Sequence, residues 1–441
     1  MSLGAGLRGE VPFSRAAPRR SGLASRIETL GLYLLAVLVL GVSGGMLWTI
    51  GLNYEGLTGS APQKIHPSTY LAVLLLGWVM LRAGNPVAYA ARAVRTHPAS
   101  VLIAACGVVL LLLIAARGGA GLAGSIDTFV LPGLVIVLMA DRDAPTMRRL
   151  EWLVHAVMLA NAVLGLVELA SGQRFFPFRL DGQVFETDTR SAALQGHPLA
   201  NATMTACYVL MLVTGGGTLS PVKRIAMIGV QLVALVTFGG RSATVIALVF
   251  GAAYAFIPLH RTLISGRIPI LGAAALVFLV TLVPIGIGAL AATGFFDALM
   301  ARFVSDGGSA AARVGMFSIF DRLTLGDIVV GPDLQLVESL RRIEGLEWGI
   351  ENPIIHNVLY HGAFMTGVEI VAITLFLREV AKACRPGLAL PIIAFVILVN
   401  GFESLGGKTT MLAKFALMLL VLYRPAVESR IRAAASSRAR R

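Results

Sequence analysis

The chain has 441 residues, of which 56% are hydrophobic and only 14% are charged, with 37 Lys and Arg against 24 Asp and Glu. This composition excludes an ordinary soluble globular domain, in which about a quarter of the residues are charged. Apolar runs that approach the roughly 20 residues needed to cross a bilayer recur along the whole length. The sequence therefore predicts an all-α polytopic membrane protein.

About twelve apolar segments are candidate membrane spans. They are preceded by a basic arm, residues 1–26, which we expect to be cytoplasmic and retained because no signal-peptide cleavage site follows it. The integral membrane domain covers residues 27–424, with periplasmic loops at about 172–196 and 293–358, and residues 425–441 form a basic cytoplasmic tail. The predicted spans are 27–47, 68–91, 100–116, 125–140, 152–171, 197–214, 222–238, 242–259, 268–292, 359–382, 388–403 and 409–424, with an earlier end near Arg82 as the alternative for the second.

The distribution of basic residues supports this topology, because Lys and Arg that flank membrane helices are retained on the cytoplasmic side. With the N-terminus inside, every loop predicted to be cytoplasmic is basic, and together these loops hold most of the 37 basic residues. Both termini are then cytoplasmic. The net charge of +13 reflects topology and attraction to anionic lipid, so nucleic acid is not an expected partner.

Basic residues on the predicted outer side are exceptions to the rule that Lys and Arg stay on the cytoplasmic side, so they require a functional explanation. A guanidinium presents a planar fork that matches phosphate oxygens, so a cluster of these residues suggests a phosphate or pyrophosphate headgroup. The alternative is that the charges only keep the loops soluble. The outer basic residues are Lys64, Arg117, Arg174, Arg179, Arg190, Arg241, Arg302, Arg313, Arg322, Arg341, Arg342, Lys408 and Lys414.

Arg241 stands in a tight turn, Gly239, Gly240, Arg241, Ser242, between two apolar helices. An Arg at the membrane rim is costly unless it snorkels or has an anionic partner. The two glycines permit close backbone approach, and the following helix presents its N-terminal amides to an anion. Arg241 is therefore a candidate anion-binding residue.

Three polar residues at or within spans allow two interpretations each. Glu168 and Glu369 are acids in apolar sequence, and such acids pair with a base or face a wet cavity. For both we prefer a structural partnership with an outer arginine over catalysis. His197 opens the sixth span, and a capping or packing role is preferred there, with substrate binding as the alternative.

His356 and Asn357 end the large outer loop at the start of a helix that continues through His361. A histidine at a helix N-terminus beside an Arg-rich loop is disfavoured from holding a proton, so its neutral form is available as a general base. That is the state needed to deprotonate a sugar hydroxyl. The two histidines lack a third metal ligand at a convincing spacing, so neither a metal nor another cofactor is predicted.

These motifs resemble the O-antigen ligase and polysaccharide polymerase superfamily, and in particular its exopolysaccharide-polymerase branch. The resemblance covers roughly residues 150–425, and the polar residue that the family often places after its His-Pro pair is Leu199 in this chain. The residues that carry the resemblance are Gly239, Gly240, Arg241, Ser242, Arg302, Asp306, Arg313, Gly331, Pro332, Asp333, His356, Asn357, Gly362 and Gly367, with Gly196, His197 and Pro198.

The resemblance implies a metal-independent, inverting glycosyl transfer at the periplasmic face of a bacterial inner membrane. The donor would be an oligosaccharide linked to a polyprenyl diphosphate such as undecaprenyl diphosphate. Arg241 would hold the donor diphosphate with help from Arg313 and Arg302, and His356 would orient or deprotonate the acceptor hydroxyl. Further substrate-binding candidates are Asn357, Arg190, His197, Glu168 and Lys408.

Three alternatives remain open at this point. A polymerase extends another lipid-linked repeat unit, whereas an O-antigen ligase transfers the glycan to lipid A-core; the branch resemblance favours the polymerase. A flippase for the lipid-linked oligosaccharide would carry charges deep along a central path and show two similar halves, and no internal repeat is evident. A scaffold of the export machinery predicts no dependence on His356 or Arg241. Export machinery or a chain-length regulator is also a candidate partner of the enzyme.

Overall fold

A computed structural model describes residues 22–56, 59–118, 122–180, 182–184, 190–264, 281, 284–304, 309–346, 349–402 and 404–424. The described part is helical apart from turns, irregular connections and one antiparallel hairpin, β1 Arg179–Leu180 and β2 Gln183–Val184. The predicted all-α class is therefore confirmed.

The helices of the first part of the chain are α1 Leu23–Gly41, α2 Gly44–Thr49, α3 Pro67–Arg82, α4 Pro86–Thr96, α5 Pro98–Ala116, α6 Leu122–Ser125, α7 Leu131–Met139 and α8 Ala144–Ser171. Those of the second part are α9 Pro198–Val213, α10 Pro221–Phe238, α11 Arg241–Ile264, α12 Asp297–Val304, α13 Ser309–Ser318, α14 Leu325–Val330, α15 Leu334–Ile343, α16 Pro353–His361, α17 Ala363–Ala383, α18 Ala389–Val399 and α19 Met411–Leu422.

Five of the described helical segments are long and apolar enough to cross a membrane singly: α1, α5, the continuous segment Leu122–Met139, α8 and α10. The pair α3 and α4 passes the same test together, which makes six if the bent pair is one span. Shorter apolar helices cover Pro198–Val213, Arg241–Ile257, Ala389–Val399 and Met411–Leu422. The protein is a multi-pass membrane protein.

The predicted span 68–91 is not one straight helix, and the alternative end near Arg82 matches the structure. The helix α3 ends at Arg82, α4 begins at Pro86, and the two axes are bent by 116°. Between them Gly84 has φ +77°, and the side chain of Asn85 accepts the backbone N–H of Ala88 at 2.9 Å as an N-cap. No residue of α4 is buried, so this short helix lies against the bundle rather than inside it.

Two further predicted spans differ in extent. The segment 27–47 is divided between α1 and α2 at residues 42–43, where Ser43 caps α2. Most of the segment 268–292 lies outside the described residues, although 284–292 is helical.

Polar contacts gather several loops predicted to be cytoplasmic at one end of the bundle, which we call the inner end. Glu28 lies 2.8 Å from Arg82 and also pairs with Arg142. Arg424 donates hydrogen bonds to the carbonyl oxygens of Arg142 and Asp143. The start of α1, the end of α3, the α7–α8 connection and the end of α19 therefore meet at this inner end.

The opposite end, which we call the outer end, is held together by a buried carboxylate. Asp127 lies in the π-helical turn Ile126–Val130 and accepts hydrogen bonds from the Tyr54 hydroxyl at 2.9 Å and the Thr69 hydroxyl at 2.7 Å. It also accepts the backbone N–H of His66 at 3.0 Å. These bonds fix the segment 51–66 onto the bundle.

Helix α19 lies at the centre of the bundle, packed against α1, α7, α8, α9 and α17. Every residue from Met411 to Leu422 is buried, including the cationic Lys414. The Lys414 ammonium donates to Gln195 Oε1 at 2.7 Å, which satisfies one of its donors near the outer end.

The loop predicted at 293–358 contains several short helices with a small hydrophobic core of their own. We call residues 309–346 and 349–362 the outer cap. Arg117, which ends α5, donates to the carbonyl oxygens of Tyr360 at 2.9 Å, Pro332 at 3.3 Å and Gly331. The cap is thereby fixed to the bundle. The buried residues of this small hydrophobic core are Met316, Ile319, Val337, Leu340, Leu346, Ile350 and Leu359.

Candidate functional site

A cavity of about 500 Å³ lies at the outer end of the bundle. Its walls come from five separate parts of the chain: residues within 42–55 together with His66, residues 178–179 together with Arg190, residues within 195–204, the cap residues 349–351, and Phe402 together with residues within 404–414. Its charged lining residues are the bases Arg179, Arg190, Lys408 and Lys414 and the acids Glu55 and Glu351. The cavity is therefore net positive, which suits an anionic ligand.

Glu55 lies in the wall formed by the first outer segment. Its carboxylate packs closely against Gly44, because a Cβ added there would lie 1.9 Å from Glu55 Oε1. Its other oxygen, Oε2, has no hydrogen-bond partner among the described residues. Burial raises the pKa of Glu55 to about 7, although the charges of Lys408 and Arg179 act in the opposite direction.

His66 lies beside Glu55 in the cavity lining and is 1% exposed. Its Nδ1 accepts the backbone N–H of Ser68 at 3.2 Å, which caps α3. In a neutral ring this bond leaves the hydrogen on Nε2. Burial lowers the pKa of this ring to about 3, and a backbone hydrogen bond with Val42 acts in the opposite direction.

The guanidinium group of Arg179 is held in the β-hairpin by a contact with an aromatic ring and by a hydrogen bond. Its Cζ stands 4.8 Å from the centroid of the Trp48 ring, and Nη1 donates to the carbonyl oxygen of Gly182 at 3.1 Å. Its Nε is buried without a partner in the part of the chain that the structure describes. Arg190, further along the same loop, also lines the cavity.

Glu168, a predicted substrate-binding candidate, holds this loop in place and is absent from the cavity lining. Its buried carboxylate accepts the backbone N–H groups of Phe175 at 2.9 Å and Ala193 at 3.3 Å, and the Ser191 hydroxyl. Arg174 donates to the backbone carbonyl oxygen of Glu168 at 2.8 Å. The carboxylate therefore orders the segment that carries Arg190.

His197 caps a helix, packs between aromatic rings and also lines the cavity. Its Nδ1 accepts the backbone N–H groups of Leu199 at 3.1 Å and Ala200 at 3.4 Å, so it caps α9. Its ring packs between Phe178 and Phe402, at centroid distances of 4.4 and 5.7 Å. It also lines the cavity, where a substrate could contact it.

Lys408 is fixed in the cavity by Tyr54. Its Nζ lies 3.8 Å from the centroid of the Tyr54 ring and donates to the Tyr54 carbonyl oxygen. Burial lowers the pKa of Lys408 to about 8, while the charges of Asp127 and Glu55 act in the opposite direction. Of the residues predicted from sequence, the structure thus brings Arg190, His197 and Lys408 into one cavity.

His356 and Asn357 do not belong to the described lining of the cavity. The His356 ring stacks on Tyr360 at 4.4 Å and packs against Gly406, where an added Cβ would lie 2.9 Å from its Cγ. Burial lowers the pKa of His356 to about 4, so the ring is neutral at pH 7. Asn357 Nδ2 donates to the buried Glu369 at 2.5 Å, and this bond fixes α16 to α17.

Arg241 begins α11 close to the loop that carries Arg190. Ser191 donates its backbone N–H to the carbonyl oxygen of Thr237 at 3.1 Å, one turn before Arg241. Arg241 itself is not among the residues that line the cavity. Arg302 lies in α12 and Arg313 in α13, and the side chains of both fall outside the described part of the structure.

Three residues of this region were not predicted from the sequence. Asp127 carries a recognisable signal, since it is an acid inside an apolar run. Glu55 and His66 lie in a short polar connection without a motif, and only the packing shows that they share a wall. Among the described residues, no group of three or more His, Cys, Asp or Glu side chains is arranged to hold a metal ion.

Comparison of the chain with protein-family models, curated proteins and solved structures finds no match.

Proposed function

We propose that this protein is a polysaccharide polymerase that joins polyprenyl-diphosphate-linked oligosaccharide repeat units at the periplasmic face of a bacterial inner membrane. The transfer is inverting and needs no metal. The observation that carries the proposal is the net-positive cavity, which lies at the end of the bundle where the sequence predicts the periplasm. The resemblance of the motifs supplies the class of reaction.

The cavity offers cations for a leaving diphosphate. Negative charge builds on that group as the glycosidic bond breaks, and fixed cations in a partly enclosed site stabilise it more than water does. Arg179, Arg190 and Lys408 would perform this task, with Arg241 and the side chains of Arg302 and Arg313 as the further candidates from sequence. Phe178 and Phe402 in the same lining provide apolar faces for sugar rings.

We also propose the twelve-span topology with both termini in the cytoplasm. The contacts of the inner end support the alternation of helices that it requires. Ala99 at the start of α5 donates its backbone N–H to Glu379 near the end of α17, at 2.7 Å. Gly217, between α9 and α10, donates to the carbonyl oxygen of Leu422 at the end of α19, at 2.8 Å.

The test is reconstitution of the purified protein with a lipid-linked repeat unit in buffer containing EDTA, with products resolved by length. Wild type should give a ladder, and Arg190→Ala should lower the rate by about 10²–10³-fold because one contact to the leaving group is lost. Arg241→Ala and His356→Ala test the two candidates from sequence. Arg148→Ala, which removes an exposed charge near the inner end, is the matched control and should keep the wild-type rate.

The choice of acceptor separates the alternatives. If product forms only when a lipid A-core acceptor is added, the protein is a ligase and not a polymerase. A folded wild type that makes no product with either acceptor, but moves the lipid-linked donor across liposome membranes, would replace both by the flippase.

A further inference from the structure

Two polar atoms of residues that line the cavity lack hydrogen-bond partners within the described ranges, namely Oε2 of Glu55 and Nε of Arg179. Buried polar atoms in native proteins are nearly always hydrogen-bonded, so unpaired atoms beside a cavity indicate a site that a ligand or water completes. Glu55 comes from the first outer segment and Arg179 from the hairpin.

The chemistry of these atoms limits what the ligand can be. An ionised Glu55 only accepts hydrogen bonds, while the Nε–H of Arg179 only donates. A ligand that satisfies both presents a hydroxyl donor close to an oxygen acceptor. A sugar hydroxyl beside a ring, hydroxyl or phosphate oxygen has this pattern.

We propose that Glu55 accepts the proton of the acceptor hydroxyl, while Arg179 binds a neighbouring oxygen of the substrates. This inference rests on the proposed glycosyl transfer. The O–H proton moves to the Glu55 carboxylate, and the freed oxygen bonds to the anomeric carbon of the donor sugar. The bond from that carbon to the diphosphate oxygen breaks, its electron pair leaves with the polyprenyl diphosphate, and Glu55 then returns its proton to solvent.

This assignment gives His356 a different task from the one that the sequence suggested. Its ring is packed between Tyr360 and Gly406 and does not line the cavity. Gly406 lies in the same connection as Lys408. His356 is therefore a positioning residue for the segment that places the Lys408 ammonium, and Glu55 is the candidate that reaches substrate.

The pH dependence follows from the groups that surround Glu55. Because burial raises the pKa of Glu55 to about 7, its carboxylate form is gained as the pH rises through that value. Burial lowers the pKa of Lys408 to about 8, so the ammonium is lost above that pH and anion binding weakens. Burial also lowers the pKa of His66 to about 3, which keeps this ring neutral throughout. The other charged or titratable lining groups are Tyr54, Arg179, Arg190, His197, Glu351 and Lys414.

The first experiment measures kcat/KM for polymerisation as a function of pH. Wild type should give a bell-shaped profile with an acid limb at about pH 7 and a basic limb at about pH 8. Glu55→Gln should lower kcat by about 10²–10⁴-fold and remove the acid limb. Its affinity for a fluorescent polyprenyl diphosphate, measured separately, should change by less than about threefold. Asp321→Asn, which removes one exposed carboxylate of the outer cap, should behave as wild type.

A second variant distinguishes proton transfer from a structural role. Glu55→Ala should be inactive in plain buffer and should regain part of its rate as formate is added, because formate can enter the space and accept the proton. Wild type and Asp321→Asn should not respond. If the Glu55 side chain only shaped the loop, a soluble carboxylate would not restore the activity of Glu55→Ala.

The outcomes separate this inference from the function on which it rests. A wild type that polymerises, with Glu55→Gln within threefold of it or with no acid limb at about pH 7, would overturn the role of Glu55 and leave the polymerase standing. A folded wild type that makes no product with either acceptor overturns both. The wild-type pH profile decides the matter even if the Glu55 variants do not fold.

Discussion

Gly44 determines where the Glu55 carboxylate can lie. A Cβ at this position would come within 1.9 Å of Glu55 Oε1 and 2.6 Å of its Cγ. Because the obstructing atoms belong to a side chain that can rotate away, an alanine here displaces the carboxylate without forcing the backbone apart. The effect of this substitution should therefore appear in activity more than in stability.

We expect Gly44→Ala to lower the polymerisation rate at least about tenfold while the thermal unfolding midpoint stays close to that of wild type. Gly77→Ala is the matched control, since nothing lies within 4 Å of a Cβ added there and alanine favours the helix. Rates and unfolding midpoints of the two variants are compared in the same detergent. Equal rates in the two variants would contradict the placement of Glu55 in the site.

Single polar residues also show that one sequence signal can fit two roles. Glu168, an acid in apolar sequence, allows a structural role, which we prefer, or substrate binding. Its carboxylate satisfies the backbone N–H groups of Phe175 and Ala193. An acid that orders a loop and an acid that binds a substrate have the same local sequence, so only the hydrogen-bond partners separate them.

Among the elements, the outer cap depends on a residue that lies outside it. Arg117 at the end of α5 donates to carbonyl oxygens on both sides of the cap, at Gly331, Pro332 and Tyr360. Hydrogen bonds from a charged donor contribute about 1.5–3 kcal/mol each. Loss of this guanidinium should therefore loosen α14, α15 and α16 together.

We predict that Arg117→Ala speeds amide hydrogen exchange in residues 325–343 by about 10–100-fold, which is what the loss of one such bond gives. Arg322→Ala is the control, because Arg322 makes a half-exposed pair with Glu344 at 3.0 Å and such surface pairs contribute little. Exchange is followed by mass spectrometry. Equal exchange in the two variants would show that Arg117 does not hold the cap.

Three consecutive residues in the sequence mark the break between α3 and α4, although the segment as a whole is apolar. Gly84, Asn85 and Pro86 are a stop, a cap and a first-turn residue in succession, and all three act in that way in the structure. The longer of the two predicted extents, 68–91, followed the apolar residues across these three, and the shorter extent ends at Arg82 as the helix does. Helix signals at single positions deserve priority over averages across a window.

At the scale of the whole molecule, the proposed topology predicts opposite results of chemical labelling at the inner and outer ends. With Cys106, Cys207 and Cys384 replaced, Asp321→Cys should react with a membrane-impermeant maleimide added from the periplasmic side. Arg148→Cys should react only after the membrane is opened, because it lies near the inner end. Both positions are exposed, so burial does not limit either reaction. Labelling of Arg148→Cys in sealed cells would show that the proposed topology is inverted or wrong.

The sequence by itself determined the membrane character of this protein, the order of most helices and the positions of the basic loops. These properties depend on local hydrophobicity and on charge, which each segment carries independently of its neighbours. Resemblance to a family added an expected reaction, and it remains a proposal to be tested at the cavity.

Only the tertiary structure decided which outer polar residues share a site. Glu55, Arg190 and Lys408 come from distant parts of the chain and line one cavity. The segments that carry them are fixed to the bundle by the buried Asp127, Glu168 and Lys414. His356, a catalytic candidate from sequence, packs against Gly406 and does not line the cavity. The direction of a side chain depends on packing between distant segments, and no local pattern contains that information.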